Sequence, residues 1–256
     1  MNALPERLAA LIWPRRCPFC GKLLGADAVA GCHCRNCLPE VERLSHDPPR
    51  LPATEHEFYA VSGAASAFYY ADTVRYAILM CKGHGNPWYA RELADLMAVR
   101  VFGAQAAPAA AGRPAYTAPG ELKPYTLIVP VPPRRPGTGT MPRLLAKRLS
   151  RILDIPVAYP LYTTRKMQPQ KNLDLNARLR NTRGAYACRR GTDLSGMRVL
   201  LVDDIITTGA TVSACALALL QGGAVSVFAV SVAAKEDLPP NKRLPKQGQT
   251  QEKQSK

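Results

Sequence analysis

The chain has 256 residues, of which 47% are hydrophobic, and it carries a formal net charge of +15. This length and composition predict a globular protein that has one good-sized core and room for a small additional module. No apolar run approaches the roughly 18 residues that a transmembrane helix needs, and the apolar run at residues 8–13 is too short for a signal-peptide core, so we expect a cytoplasmic protein without membrane insertion.

The sequence of residues 1–45 predicts an N-terminal helix followed by a four-cysteine zinc finger. The cysteines form two C-x-x-C pairs, and the four predicted ligands are Cys17, Cys20, Cys34 and Cys37. Clustered cysteines of a cytoplasmic protein are more often metal ligands than disulfides, and four thiolates complete a tetrahedral structural Zn²⁺ site. Such a site leaves no coordination position open, so we expect the metal to stabilise this small segment and to have no catalytic role. The neighbouring Cys32 and His33 are expected to be bystanders.

The sequence of residues 46–238 predicts a larger unit in which short aliphatic strands alternate with helices. The predicted strands cover residues 58–70 (as a strand or a hairpin), 126–131, 156–161, 199–202 and 225–232, and the predicted helices cover residues 74–80, 88–102, 142–153 and 211–221. This alternation predicts an α/β fold in which a parallel sheet is flanked by helices. Residues 103–124 are rich in Ala, Pro and Gly and are expected to form a mobile excursion, and residues 239–256 a disordered basic tail.

The most informative motif joins the strand at residues 199–202 to the helix at residues 211–221. Asp203 and Asp204 follow the apolar run directly, and a short loop of small residues comes next. The loop and the start of the helix consist of Thr207, Thr208, Gly209, Ala210 and Thr211. Open α/β sheets bind ligands at the carboxyl ends of their strands, and a loop that opens a helix directs backbone N–H groups at an anion. The motif therefore predicts a sugar-phosphate site in which the acids hold the ribose.

Positive charge is concentrated in residues 134–190, which contain fourteen Lys or Arg residues and two acidic residues and so carry +12. Solvated charged faces normally mix both signs, so an excess of one sign favours an anionic partner. The sugar phosphate is one candidate, and nucleic acid is the other.

The two acids, the aliphatic pair and the Thr-Thr-Gly-Ala-Thr run closely resemble the signature with which type I phosphoribosyltransferases bind phosphoribosyl pyrophosphate (PRPP). The order of motifs resembles the ComF family (ComFC or GntX-type proteins), in which a four-cysteine zinc finger precedes a type I phosphoribosyltransferase domain. The resemblance covers about residues 12–234. It extends to Lys82, the Val-Pro-Val-Pro run at residues 129–132 and the Gln-x-x-Leu stretch that begins at Gln170. The Arg-Gly-Phe-Asn-Gln string that usually follows the Val-Pro-Val-Pro loop in this family is missing.

The resemblance implies roles for individual residues. It implies that PRPP is bound together with Mg²⁺, and that Asp203 and Asp204 are the catalytic residues, which hold the ribose hydroxyls and favour the cationic ring while pyrophosphate leaves C1 of the ribose. The implied PRPP contacts outside residues 207–211 come from Lys82, Pro130, Val131 and Arg134. The candidates for a mobile lid or a nucleic-acid contact are Arg165, Lys166, Gln170, Lys171 and Arg178.

Three functions stay open at the level of the sequence. The first, which we favour, is a PRPP-binding protein that acts in DNA uptake and processing (natural transformation) and binds single-stranded DNA; the family resemblance adds a helicase-like partner. The second is an active phosphoribosyltransferase that modifies a small molecule. The third is a PRPP-sensing adaptor without turnover.

Overall fold

The computed structural model describes residues 14–25, 28–29, 32–52, 56, 58–83, 88–107, 114–119, 124–134, 141–164 and 184–243. Its strands are β1 (Gly63–Tyr69), β2 (Gln105–Ala107), β3 (Ala115–Thr117), β4 (Leu127–Pro130), β5 (Leu161–Thr163), β6 (Tyr186–Cys188), β7 (Arg198–Ile206) and β8 (Ser226–Ala234). Its α-helices are α1 (Leu38–Arg43), α2 (Asp72–Gly83), α3 (Trp88–Phe102), α4 (Met141–Leu153) and α5 (Ala210–Gln221). Short 3-10 turns cover Arg35–Cys37 and Pro240–Lys242.

The central sheet consists of four parallel strands in the order β1-β8-β7-β4. Residues 199–202 of β7 are fully buried, as expected for a parallel strand that is covered on both faces. Successive side chains of a strand point to opposite faces, and Leu200 and Val202 accordingly pack with α3 and α4, whereas Val199 and Leu201 pack with α5. The predicted α/β fold with a parallel sheet between helices is confirmed.

The cysteine segment, residues 14–37, packs into the same apolar core as α2, α3 and α4. The ring of Phe19 contacts the ring of Phe68 on β1 edge to face, with a centroid distance of 6.2 Å. The Arg15 guanidinium donates a hydrogen bond of 3.1 Å from Nε to the buried carboxylate of Glu92 on α3. The segment is therefore joined to the sheet and helices by apolar and charged contacts.

Several elements differ from their predictions. The segment predicted as an unpacked excursion contains the antiparallel pair β2–β3, and Tyr116 of β3 packs against the core. The strand predicted at residues 156–161 is replaced by a single bridge from Val157 to Ile128 and by β5, which pairs with β6. Strand β7 continues through Ile206, because its backbone pairing with β8 extends past the two acids.

The start of the predicted basic tail is also held in place. Arg43 Nη1 donates to the Lys242 carbonyl at 2.6 Å, and Lys242 Nζ donates to the carbonyl of Ser45. The predicted N-terminal helix and the remainder of the tail lie outside the described residues. Among the helices that are described, none has both the length and the apolar character required to cross a bilayer.

Candidate functional site

The turn between β7 and α5 lies at the carboxyl edge of the parallel sheet. Gly209 precedes the first residue of α5 and has a φ of 81°, a left-handed conformation that favours glycine. A Cβ atom at this position would lie 2.7 Å from the ring of Phe58. Both the backbone angle and the space therefore require glycine here, and the first turn of α5 starts immediately behind the loop.

A cavity of about 710 Å³ opens beside this turn. Its lining residues are Tyr70, Cys81, Lys82, Val131, Pro132, Pro133, Arg134, Met141, Pro142, Tyr186, Asp203, Asp204, Ile205, Ile206, Thr207, Gly209, Thr211, Val212 and Lys235. The volume lies within the range of about 300–1,000 Å³ that is typical of small-molecule sites. The cavity collects residues from the ends of β4, β7 and β8 and from α2, α4 and α5, so its walls come from distant parts of the chain.

The structure brings most of the predicted site residues together around this cavity. The lining includes both acids, Thr207, Gly209 and Thr211 of the loop, and Lys82, Val131 and Arg134. Thr208, Ala210 and Pro130 do not line it. The Thr208 hydroxyl instead accepts a hydrogen bond of 3.5 Å from the Ala210 amide, Ala210 is buried, and Pro130 is buried within β4.

The two acids occupy different environments although they are adjacent in sequence. Asp203 is buried, and its Oδ1 accepts a hydrogen bond of 2.8 Å from the backbone N–H of Asp204. Burial and the neighbouring charge of Asp204 raise the pKa of Asp203 to about 7. Asp204 is less buried, and its Oδ2 lies 2.8 Å from Lys82 Nζ. The site thus holds one carboxyl that titrates near neutral pH and one carboxylate that is paired with a lysine.

Basic side chains approach the acids and the loop from two other directions. Arg134 follows the proline-rich run at residues 130–133, and its Nη2 lies 3.5 Å from Thr211 Oγ1 on the first turn of α5. Lys235 follows β8 directly, and its backbone N–H donates to the Ile206 carbonyl at 2.8 Å. Together with Lys82 these groups provide positive charge around a cavity that also has backbone amides at a helix start, a combination that suits an anion.

Sequence reasoning missed several residues of the lining. Lys235 was detectable, because a residue that follows a parallel strand lies at the same sheet edge as the acids. Other residues that were missed include Tyr70, Cys81, Met141, Pro142, Tyr186 and Val212. Tyr186 belongs to β6, which pairs with β5 outside the central sheet, and no local pattern indicates that pairing. The lid or nucleic-acid candidates Arg165, Lys166, Gln170, Lys171 and Arg178 lie outside the described residues.

The four predicted cysteine ligands form one compact cluster. The sulfur atoms of Cys17, Cys20, Cys34 and Cys37 all lie within 4.8 Å of one another. The Sγ atoms of Cys20 and Cys34 are 3.5 Å apart, close to the edge of the tetrahedron that four sulfurs form around a metal at about 2.3 Å. All eight cysteines are free thiols. The cluster therefore suits a structural metal.

The two neighbours of the cluster have other contacts. Cys32 Sγ lies 3.0 Å from the Tyr116 hydroxyl, and His33 Nδ1 lies 3.2 Å from the Cys34 carbonyl. Neither joins the four-sulfur cluster in the part of the chain that the structure describes.

Comparisons with known proteins give one family match and weak structural likenesses. The purine phosphoribosyltransferase from Pyrococcus horikoshii Ot3 is 24% identical, with a TM-score of 0.27 over 42% of this chain and 61% of that chain. The allosteric regulatory enzyme of purine biosynthesis is 21% identical, with a TM-score of 0.29 over 44% of this chain and 26% of that chain. The chain thus spans less than two thirds of either protein. A search of curated proteins finds no match. Residues 143–255, which include both acids and the glycine loop, match the family model of the phosphoribosyl transferase domain.

Proposed function

We propose that the protein binds PRPP in the cavity beside the β7–α5 turn and acts as a ComF-type, phosphoribosyltransferase-like protein in DNA uptake and processing. The observation that carries the first part is the convergence of two acids, a glycine-bearing helix start and three basic side chains on one cavity of about 710 Å³. The phosphoribosyl transferase match over residues 143–255 supports the same ligand.

The proposed mode of binding follows from the charges in the cavity. The loop amides and the hydroxyls of Thr207 and Thr211 hold the 5′-phosphate at the start of α5. Asp203 and Asp204 accept hydrogen bonds from the ribose hydroxyls, and their negative charge favours a sugar ring that becomes cationic as the bond at C1 breaks. Lys82 and Arg134 interact with the pyrophosphate, whose negative charge increases in the same step.

Two metals belong to this proposal. Mg²⁺ prefers oxygen ligands and accompanies phosphates, and the carboxylates of Asp203 and Asp204 are ligands of that class. When bound, Mg²⁺ supplies charge stabilisation to the leaving pyrophosphate. Zn²⁺ is proposed for the four-cysteine cluster, where it holds the cysteine segment together.

PRPP binding is tested by isothermal titration calorimetry with and without Mg²⁺. We expect Asp204→Asn to weaken the affinity by at least tenfold, because it removes a charged acceptor of the ribose hydroxyls. Asp237→Asn, which changes an exposed carboxyl that does not line the cavity, is the matched control and should bind as the wild type does. If the wild-type protein does not bind PRPP, or if Asp204→Asn binds as tightly, the proposed site is refuted.

Single-stranded DNA is the proposed macromolecular partner, and the net charge of +12 over residues 134–190 supports it. The helicase-like partner in DNA uptake rests on the family resemblance alone. Binding of a fluorescent oligonucleotide should weaken steeply as salt rises, because lysine and arginine contacts to phosphates release counterions. Absent binding, or binding that salt does not change, removes the DNA part of the proposal and leaves the PRPP part intact.

An active transferase that modifies a small molecule is the second candidate. The observation that favours it is the size of the cavity, whose lining includes apolar residues such as Tyr70 and Met141 beyond the acids and the loop. An acceptor could contact those residues while PRPP occupies the charged part. Release of pyrophosphate on addition of a nucleobase would establish this function. PRPP binding without pyrophosphate release under any acceptor supports the third function, a PRPP-sensing adaptor.

A further inference from the structure

The exposed side of helix α4 carries a row of positive charges. The helix contains four Lys or Arg residues and no acidic residue. Arg143, Lys147 and Arg151 are exposed and recur at intervals of four residues, so they lie on the same side of the helix. Leu145 and Leu149 lie on the opposite, buried side. Because a helix rises about 1.5 Å per residue, the row is about 12 Å long. We call these three residues the basic ridge.

The acids that lie nearest in the fold do not neutralise the basic ridge. The neighbouring helix α3 contains two acidic residues, and both are buried. Asp95 accepts a hydrogen bond of 2.5 Å from Arg148, the remaining cation of α4, and Glu92 pairs with Arg15. Asp154 is exposed just beyond the end of α4. Over the described ranges of the chain, no carboxylate forms an ion pair with any of the three ridge cations.

A fourth cation extends the basic ridge onto the β5–β6 hairpin. The guanidinium of Arg143 lies over the ring of Tyr159, with its Cζ 4.5 Å from the ring centroid. Arg189, which is exposed and follows β6 directly, donates a hydrogen bond of 3.3 Å from Nε to the Tyr159 carbonyl. Tyr159 therefore holds Arg189 next to the first cation of the ridge. Helix α4 itself begins at the cavity, where Met141 and Pro142 line the wall.

The stability of the helix explains only one of the three ridge charges. Arg151 lies in the last turn, where a cation offsets the helix dipole. Arg143 lies in the first turn, where a cation is unfavourable, and Lys147 lies in the middle of the helix. Like charges four residues apart also repel each other along the helix surface. The ridge therefore costs stability in the isolated chain, and an anionic partner would offset this cost.

We propose that the basic ridge, together with Arg189, binds the phosphate backbone of single-stranded DNA. This inference rests on the proposed function, since it names the surface that would hold the proposed DNA partner. A single row of cations matches a single backbone, whose phosphates recur at regular intervals along the strand. In the described part of the protein none of the four cations lines the cavity, so the DNA surface and the PRPP site are separate.

The test compares two double variants of the full chain by fluorescence anisotropy of a labelled oligothymidine over a series of salt concentrations. Lys147→Gln/Arg151→Gln removes two ridge charges and leaves Arg143 on Tyr159. The matched control, Arg50→Gln/Arg75→Gln, removes two exposed charges elsewhere. Arg50 lies beside β1, at the sheet edge opposite β4, and Arg75 lies on α2.

The expected effect follows from counterion release. Each phosphate contact to a single strand contributes about 0.7 to the slope of the logarithm of the binding constant against the logarithm of the salt concentration. We therefore expect the ridge variant to lose about 1.4 of this slope and to bind at least about tenfold more weakly at low salt. The control variant should keep the wild-type slope and affinity. Urea unfolding of both variants should match the wild type or show a more stable ridge variant.

The alternative outcomes are distinguishable. A ridge variant with the wild-type slope overturns the inference, and so does an equal loss in the control variant, which would mean that only net charge matters. Tighter binding of a duplex of the same length, or ridge-dependent binding to anionic phospholipid vesicles without binding to the oligonucleotide, overturns the assignment to single-stranded DNA. A wild-type protein that binds no oligonucleotide overturns the DNA part of the proposed function together with the ridge. PRPP calorimetry tests the cavity independently, because the ridge residues do not line it.

Discussion

Replacing Asp203 by Asn should stabilise the fold at neutral pH while it removes a proposed ligand contact. Asp203 is buried, and burial together with the charge of Asp204 raises its pKa from the ordinary value near 4 to about 7. A group whose pKa is raised in the folded state stabilises the protein below its unfolded pKa, and this stabilisation is lost as pH rises through the folded value. Asparagine does not ionise, and its side-chain oxygen can still accept the 2.8 Å hydrogen bond from the Asp204 amide.

The size of the effect follows from the gap between the two pKa values. Each pH unit of that gap corresponds to about 1.4 kcal/mol in the free energy of unfolding. The free energy of unfolding of the wild type should therefore fall by up to about 4 kcal/mol relative to that of Asp203→Asn between pH 4 and pH 7. Above pH 7 the difference between the two proteins should stay constant. Titrating groups far from Asp203 are common to both proteins, so their contributions cancel in the comparison, whereas the charge of Asp204 is coupled to Asp203 and is part of the difference.

Urea unfolding at a series of pH values, with Zn²⁺ present, measures this difference. Asp237→Asn, which alters an exposed carboxyl, serves as the control and should follow the wild type at every pH. Parallel stability curves for the wild type and Asp203→Asn between pH 4 and pH 7 would refute the reasoning, because they would mean that Asp203 is ionised in the folded protein over this range. A stabilised variant that no longer binds PRPP would identify Asp203 as a residue retained for ligand binding.

Three further predictions concern other parts of the molecule. Gly209→Ala should lower the free energy of unfolding by about 2 kcal/mol, because alanine is strained in the left-handed backbone conformation and its Cβ would lie 2.7 Å from the ring of Phe58. It should also weaken ribose 5-phosphate binding. Urea unfolding measures the first effect, and calorimetry measures the second. Cys37→Ser should abolish the content of about one zinc per chain, measured by mass spectrometry of the purified protein, whereas Cys188→Ser should retain it. Burial and the nearby Lys242 and His56 lower the pKa of His46 to about 4, although a carboxylate oxygen of Glu236 lies 3.7 Å from its Nε2. The wild type should therefore lose up to about 3 kcal/mol in the free energy of unfolding between pH 6.5 and pH 4, and urea unfolding of His46→Gln should not show this loss.

The parts of the fold that depend on local sequence were predictable. The apolar run of β7, the two acids and the small residues that open α5 are contiguous, and each has a local physical signature. The extent of β7 was underestimated because its end is set by pairing with β8. That pairing joins Asp203 to Ser231 and Ile206 to Ala234. Polar residues at the end of a strand do not prevent backbone pairing, so the sequence alone does not reveal it.

Other features depend on partners that are distant in the chain. Strands β2 and β3 pair although their segment is rich in Ala and Pro, because the pairing uses backbone groups that composition does not report. Tyr186 reaches the cavity through its pairing with β5, and the ion pair of Lys82 with Asp204 joins α2 to β7. The sequence predicted both residues of that ion pair as site residues, but their 2.8 Å contact depends on how the helix packs beside the sheet.

That contact bears on how the proposed ligand would enter the cavity. The ammonium of Lys82 neutralises the more accessible carboxylate while the cavity is empty, and the neighbouring Asp203 is half protonated near pH 7. A divalent cation on its own therefore meets little uncompensated negative charge. Under the proposed function, a diphosphate would offer the Lys82 ammonium a new counter-ion, which would leave the Asp204 carboxylate available to the sugar hydroxyls.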